Sequence, residues 1–392
     1  MGRVPDGSEI IPPYQYITTP AQRDEAIAAL SRLSEIAVDT EGDSLYSYQE
    51  KVSLIQISGG GVNYIFDPLL LDSVLPLGTL FENREILKIF HGADYDIVSL
   101  KRDFKFQIGP IFDTSLAARA IGIKRFSLQD LIEKYFQVKL VKKYQKSNWG
   151  IRPLTEGHLE YASNDTVYLE RLTHILKDAL IEKGRSDQVE EECLLMEEMT
   201  WNGKDFEPDD YLRIKGVRVL GERSQKVLRE LVVVRDRLAR ERNCPAFKII
   251  SSRYLIAISV SPPKDEAALM ALFPHGSTTV FKYLFEWMAA LRVGMTTDVP
   301  LPKAVKRSNP PMTARMEKLL KHLKQWRNRL ADAEGLEPAM ILTANVLTEI
   351  VRNLPRSIED LQSLPLFRQW QITRYGEALL KEIASWERKQ AH

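Results

Sequence analysis

Asp39 and Glu41 stand one residue apart, directly after the apolar run Ile36-Ala37-Val38. On an extended backbone such residues leave the same face, so the two carboxylates share one side of a strand end. Carboxylates that close repel unless a cation lies between them or one of them keeps its proton. Further along, Asp96 follows His91-Gly92-Ala93 near a helix start, and Tyr161 and Asp165 are four apart after Thr155. That spacing puts Tyr161 and Asp165 on one helix face. Asp165 also falls in register with Leu169, Leu172 and Leu176, a stripe that should be buried, where a carboxylate must be paired or metal-bound. Spacing alone brings none of these groups together. An acidic pair at a strand end is a common surface feature, and Asp96 and Asp165 taken singly read equally well as helix-surface residues.

The elements that must position these groups occupy the first 180 or so residues. Ile36–Val38, Val52–Ile57 and Val62–Phe66 read as strands, the last two joined through Ser58-Gly59-Gly60-Gly61 as a hairpin. The poor alternation of Val52–Ile57 suits a strand covered on both faces. Glu85–Phe90 is a helix end or a strand leading into His91, and helical periodicity follows in Tyr95–Leu100, Thr114–Ile121 and Leu128–Phe136. Early strands with later helices predict a mixed sheet flanked by helices. A single helix is expected from Thr155 to about Leu180, ended by Gly184. Between Asp187 and Asp210 there are ten acidic residues and one basic one, Lys204, which reads as a helical connector with a solvated face.

Beyond Asp209 strand signals nearly vanish. Arg237-Leu238-Ala239, Pro245-Ala246, Leu255, Ile258 and Pro263 recur as Arg329-Leu330-Ala331, Pro338-Ala339, Leu347, Ile350 and Pro355, a helical module used twice. The expected organisation is a catalytic domain over 1–185, a connector over 186–208, helical modules over 209–298 and 312–392, and a Pro-rich linker over 299–311. Neither module holds a convincing catalytic cluster, and His275 and His322 read as surface residues. Lys+Arg total 54 against 53 Asp+Glu, which excludes a wholly basic coat but not local basic surfaces. Cys193 and Cys244 are too few for a disulfide scaffold or a thiolate metal site. No stretch reaches about 18 uncharged apolar residues, so neither a membrane span nor a secretory signal is expected.

Taken in order, Ile36-Ala-Val-Asp39-Thr-Glu41, His91-Gly-Ala-Asp-Tyr-Asp96 and Tyr161-Ala-Ser-Asn-Asp165 resemble the three motifs of the DEDD superfamily of 3′–5′ exonucleases, in its tyrosine-containing branch and most closely the ribonuclease D family. The flanks Val52–Ile57, Ile111-Phe-Asp-Thr114, Ser127-Leu-Gln-Asp-Leu131 and Asn148-Trp149 to Arg152-Pro153-Leu154 agree. The paired modules resemble that family's C-terminal HRDC domains. The resemblance implies a ribonuclease H-like α/β fold, a mixed sheet with flanking helices, followed by two all-α HRDC-type domains. It further implies a two-metal-ion exoribonuclease that releases nucleoside 5′-monophosphates from tRNA precursors and other small structured RNAs. Asp39, Glu41, Asp96 and Asp165 are then the ligands of two Mg²⁺ or Mn²⁺ ions, since hard oxygen ligands suit these better than zinc. Asp39 is expected to bridge, Glu41 and Asp165 to complete the nucleophile-side ion, and Asp96 to hold the other largely through water. Tyr161 orients the attacking water. His91 is expected to pack behind the site or touch substrate rather than act as a base. One departure stands out: the position after Glu41, usually hydrophobic in the family, is Gly42.

Lys142, Lys143, Lys146 and Arg152, with Trp149 among them, are expected to grip phosphates and stack a base; a solvated loop is the alternative. Twelve Lys/Arg against four Asp/Glu between Arg213 and Arg253, and nine against one between Lys303 and Arg329, suggest that the modules hold the body of a structured RNA. Competing readings are a DNA-directed exonuclease, disfavoured because no polymerase or helicase motif accompanies the site, and a non-catalytic RNA-binding scaffold, disfavoured because all four acids are intact. Within the resemblance, two tandem modules point to a bacterial enzyme; a cytoplasmic location and a monomer without an obligate protein partner are the accompanying expectations.

Overall fold

The computed structural model describes residues 14–140, 143–203, 205–273, 276–298, 300–302 and 310–390. Lys142, His275 and most of the Pro-rich stretch lie outside them. Two compact units emerge. One gathers the chain up to Glu41, Val52–Trp201 and everything from Pro310; the other holds Gly42–Lys51 and Asn202–Asn309. No helix among the described residues is long and apolar enough to cross a membrane.

The first unit opens with β1 (Tyr14–Ile17), α1 (Pro20–Leu30), β2 (Glu35–Gly42), β3 (Val52–Gly59), β4 (Val62–Phe66), α2 (Gly78–Phe81) and β5 (Leu87–Phe90). It continues with α3 (Asp94–Phe104), β6 (Ile111–Asp113), α4 (Thr114–Ala120), α5 (Leu128–Phe136), α6 (Glu156–Asn164), α7 (Leu169–Glu182) and α8 (Ser186–Glu197). Six strands run in the order β1-β4-β3-β2-β5-β6. β3 and β4 are antiparallel, whereas β1–β4, β2–β5 and β5–β6 are parallel, so the sheet is mixed as expected. Every residue of β3 is buried, the signature of a strand covered on both faces. The hairpin turns through Gly60 and Gly61, at φ 59° and 81°, values that a two-residue primed turn requires. β1, short and rich in Tyr, gives little strand signal in the sequence.

The second unit contains α9 (Glu222–Glu241), α10 (Ala246–Ile249), α11 (Ser252–Val260), α12 (Glu266–Ala271), α13 (Thr278–Phe281) and α14 (Leu284–Thr296). The β2–β3 connection, Gly42–Lys51, belongs with it: the Tyr48 hydroxyl donates to Asp236 of α9 at 2.7 Å, and Lys248 lies 4.1 Å from the Tyr46 ring centroid. The second helical module, α15 (Ala314–Glu334), α16 (Ala344–Asn353), α17 (Ile358–Gln362) and α18 (Gln369–Gln390), shares one continuous apolar core with the sheet of the first unit. Gly122, at φ 87°, lets that module come close; a Cβ there would lie 2.7 Å from the Gly335 carbonyl oxygen.

Two expectations are corrected. The single helix from Thr155 breaks at Asn164 and restarts at Leu169. No Gly or Pro marks the break. Asn164, Asp165 and Thr166 are residue types whose side chains compete for backbone hydrogen bonds and favour turns. Nor is the acidic connector a solvated tether. α8 buries Val189 and Cys193 against the sheet edge at β6, and its acids are engaged. Glu191 accepts the backbone N–H groups of Gln369 and Trp370 at the start of α18, both at 2.8 Å. Asp187 pairs with Arg374 at 2.8 Å and Glu192 with Arg368 at 3.3 Å.

A carboxylate accepting two N–H groups at a helix start is worth about 1–2 kcal/mol. Glu191→Ala is therefore expected to lower the urea midpoint by that amount of stability, while Glu190→Ala, one residue away and exposed, leaves it within error. Equal midpoints for both variants would remove the cap from the account.

Candidate active site

Asp39 and Glu41 project from β2, which lies between β3 and β5 in the interior of the sheet. Asp165 caps the C-terminal end of α6, brought over the sheet by a 2.7 Å hydrogen bond from Asn63 of β4 to Ser163. The structure unites these three: one oxygen from each of Asp39, Glu41 and Asp165 lies within 4.8 Å of the others. Asp96 stands in the first turn of α3, outside that trio, and accepts the Thr40 hydroxyl at 2.5 Å. The start of α3 is itself pinned. Buried Asp113 accepts the N–H groups of Gly92 and Ala93 at 2.8 and 2.6 Å, and caps α4 through Leu116 N–H at 2.8 Å.

Electrostatically the four acids form one group. Burial, followed by repulsion from Asp96, Asp165 and Glu41, pushes Asp39 well above the ordinary carboxylate range. Burial and repulsion from Asp165 and Asp96 do the same to Glu41. Burial raises Asp96 to about 7 against the opposing hydrogen bonds from Thr40, and raises Asp165 to about 7 against the bond from Tyr161. No cationic side chain is among the groups acting on Glu41 or Asp165. Half-buried oxygen donors with no cation acting on them among the described residues are a fitting set for hard divalent ions.

Tyr161, on α6, donates its hydroxyl to Asp165 and packs its ring near Trp149, with centroids 5.9 Å apart. Burial and the surrounding carboxylates push the phenol up, so it stays protonated at neutral pH. His91 is half-buried, with Nδ1 2.9 Å from the Thr114 hydroxyl, and desolvation lowers its pKa to about 4. The imidazole is neutral at neutral pH and held on Thr114, so it is no general base there.

The basic loop also departs from expectation. Trp149 is 1% exposed, with its ring against His158 and Tyr161, so no face is free to stack a base. Arg152 is consumed by a bidentate pair with Asp67, at 2.5 and 2.7 Å, and by the carbonyl of Ser53 at 2.8 Å. Both residues anchor the loop to the sheet. Lys143 and Lys146 are exposed, the ammonium of Lys143 lying 5.2 Å from the Tyr144 ring centroid. Sequence reasoning missed Thr40 and Asp113 as positioning residues. Thr40 lies between the two ligand candidates of the first motif, and Asp113 within the Ile111–Thr114 flank, but the bonds they make are non-local.

A 3′–5′ exonuclease family model matches residues 14–181, and the HRDC domain model matches 224–291 and again 316–383. Ribonuclease D of Bartonella henselae is 27% identical over 92% of this chain and 88% of its own length. Ribonuclease D of Desulfotalea psychrophila is 29% identical over 86% and 90%. The chain joins a 3′–5′ exonuclease domain to two HRDC domains and is homologous to ribonuclease D. Its fold agrees with the crystal structure of Escherichia coli RNase D, at a TM-score of 0.69 and 22% identity over 95% of this chain and 99% of that one. As a ribonuclease D-type protein it is a 3′–5′ exoribonuclease, and its DEDD fold uses divalent metal.

The raised carboxyl pKa values have a consequence for the metal-free fold. Groups with pKa near 4 in the unfolded chain and about 7 or higher in the native one bind more protons when folded, so their contribution to stability falls as pH rises through that window. Metal-free protein is expected to melt lower at about pH 8 than at about pH 5.5, and Asp39→Asn to narrow the gap. Scanning calorimetry in chelator tests this; the same gap in wild type and variant would contradict the electrostatic account.

Proposed function

We propose that the chain trims the 3′ ends of tRNA precursors and other small structured RNAs, releasing nucleoside 5′-monophosphates with two divalent ions. The observation that carries this reading is the half-buried trio of Asp39, Glu41 and Asp165, with Tyr161 bonded to Asp165. Asp39, Glu41 and Asp165 would hold one ion, and Asp39 with Asp96 the other; Mg²⁺ and Mn²⁺ both suit the oxygen set. When bound, such ions acidify an attacking water and neutralise charge on the leaving 3′ oxygen.

The chain's own residues do the rest. Tyr161 keeps its proton, donates it to Asp165, and leaves its oxygen lone pairs to orient a water, which makes it a positioning group and not a base. Thr40 and Asp113 fix the reach of Asp96 by holding its side chain and the start of its helix. Exposed Lys143 and Lys146 offer charge to phosphates near the 3′ end. The basic faces of the helical modules would hold RNA farther from the scissile bond.

Turnover on 3′-extended tRNA, single-stranded RNA and single-stranded DNA, each with Mg²⁺, Mn²⁺ or chelator, tests the substrate assignment. RNA cleavage only with metal, fastest on the tRNA, is expected; preference for DNA would overturn it. Asp39→Asn is expected to lower kcat by several orders of magnitude. Tyr161→Phe is expected to lower kcat on the order of 10²-fold while leaving the affinity for uncleaved RNA unchanged. A matching loss of affinity would make Tyr161 a substrate grip.

A further inference from the structure

The first helical module contains a hollow of about 410 Å³ between the start of α9, the turn after α11, and α14. Three cations surround it: Arg223 from the first turn of α9, Lys264 from the turn, and Arg292 from α14. All three are exposed, none has an acidic partner among the described residues, and no carboxylate lines the hollow. Its floor is apolar, built from Pro263, Met288, Leu291 and Met295. α9 begins behind Gly221, which offers no capping side chain, and Glu222 is drawn aside to Lys226 at 3.0 Å. The helix dipole therefore adds to the positive field.

The duplicated module provides an internal comparison. The two HRDC matches are offset by 92 residues (316 − 224), which aligns Arg223 with Arg315, Lys264 with Arg356, Arg292 with Ala384 and Met295 with Glu387. In the second module the counterpart arginine is spent. Arg315 pairs with Glu387 at 3.1 Å and lies over the Trp386 ring, 5.9 Å from its centroid. Position 294, the counterpart of Trp386, is Gly; a Cβ there would stand 2.5 Å from the Val227 backbone, so α14 closes tightly on α9 beside the hollow. The charge that is neutralised in one copy is left open in the other.

We propose that this hollow is a nucleotide-sized RNA subsite, resting on the reading of RNA as substrate. Arg223, Lys264 and Arg292 take the phosphodiester and the Pro-Met-Leu floor takes a ribose or base. The volume is within the range of small-ligand sites. Three unpaired cations around a wall without acids complement a backbone phosphate, which guanidinium groups bind through paired N–H donors.

The decisive variant places the second module's carboxylate in the first: Met295→Glu, at an exposed position whose counterpart is Glu387. Affinity for a fluorescent 12-nucleotide single-stranded RNA is measured on the full chain in chelator, where no cleavage occurs, across a salt series. Met295→Glu and Arg223→Ala/Lys264→Ala are each expected to weaken binding about tenfold. The double variant should also reduce the salt slope by about 1.4, roughly 0.7 per lost contact. Arg315→Ala/Arg356→Ala should change affinity less than twofold, and hydrolysis of a trinucleotide should stay at wild-type kcat/KM in every variant. Unchanged RNA affinity in Met295→Glu, or an equal loss in the second-module pair, overturns the subsite while leaving the nuclease reading intact. Absence of RNA hydrolysis by the wild type would instead overturn the nuclease reading, a result that the binding series does not depend on.

Discussion

Four clustered carboxylates that repel one another, Asp96 buried and the others half-buried, are the constraint around which the catalytic unit is arranged. Each would cost stability wherever it lost its water without gaining a counter-charge, and burial is the leading cause of every upward shift in the group. The fold answers with supports from separate parts of the chain. A strand inside the sheet fixes Asp39 and Glu41, Thr40 and the Asp113-pinned loop fix Asp96, and the Asn63–Ser163 bond together with Tyr161 fixes Asp165. None of these supports supplies a positive charge. They hold the repulsion in place, which keeps the site in readiness for cations from solution.

That arrangement explains which parts were legible in the sequence. Asp39-Thr40-Glu41 is local, so alternation along one strand predicts the shared face, and Tyr161 and Asp165 are joined by helical spacing alone. The hairpin at Gly60-Gly61 and the doubly covered strand β3 were equally local. Convergence of the trio was not, because it depends on where α6 crosses the sheet; only the order of motifs pointed to it. The break between α6 and α7 was hidden by the helical register of Asp165 with Leu169, Leu172 and Leu176, which placed Asp165 on a helix face when it is the residue that ends the helix.

Composition misled most where charge and aromatics lie close in sequence. Trp149 and Arg152 belong to a basic stretch that invites an RNA-binding reading, yet one is enclosed and the other is bonded to Asp67, a residue 85 positions away. The acids of α8 misled in the opposite sense. A run of Glu suggested water, but Glu191 and Glu192 meet the beginning of α18 and Asp187 meets its Arg374. A charge count along the chain carries no information about whether the partner lies in solvent or in a helix distant in sequence.

The duplicated modules make the same point in a form the sequence contains. Both copies keep a cation at the start of their first helix, Arg223 and Arg315, so a count of basic residues treats them alike. What separates them is one turn near the end of each last helix: Gly294-Met295 in one, Trp386-Glu387 in the other. The second pair satisfies Arg315 within a module whose apolar core is continuous with that of the sheet, where an unpaired cation would contribute little to packing. The first pair leaves Arg223 exposed beside an apolar floor. Within one chain, then, the same helical frame is used once to brace the sheet that carries the carboxylates and once to present uncompensated positive charge, and the difference between the two uses comes down to which side chains stand near the ends of α14 and α18.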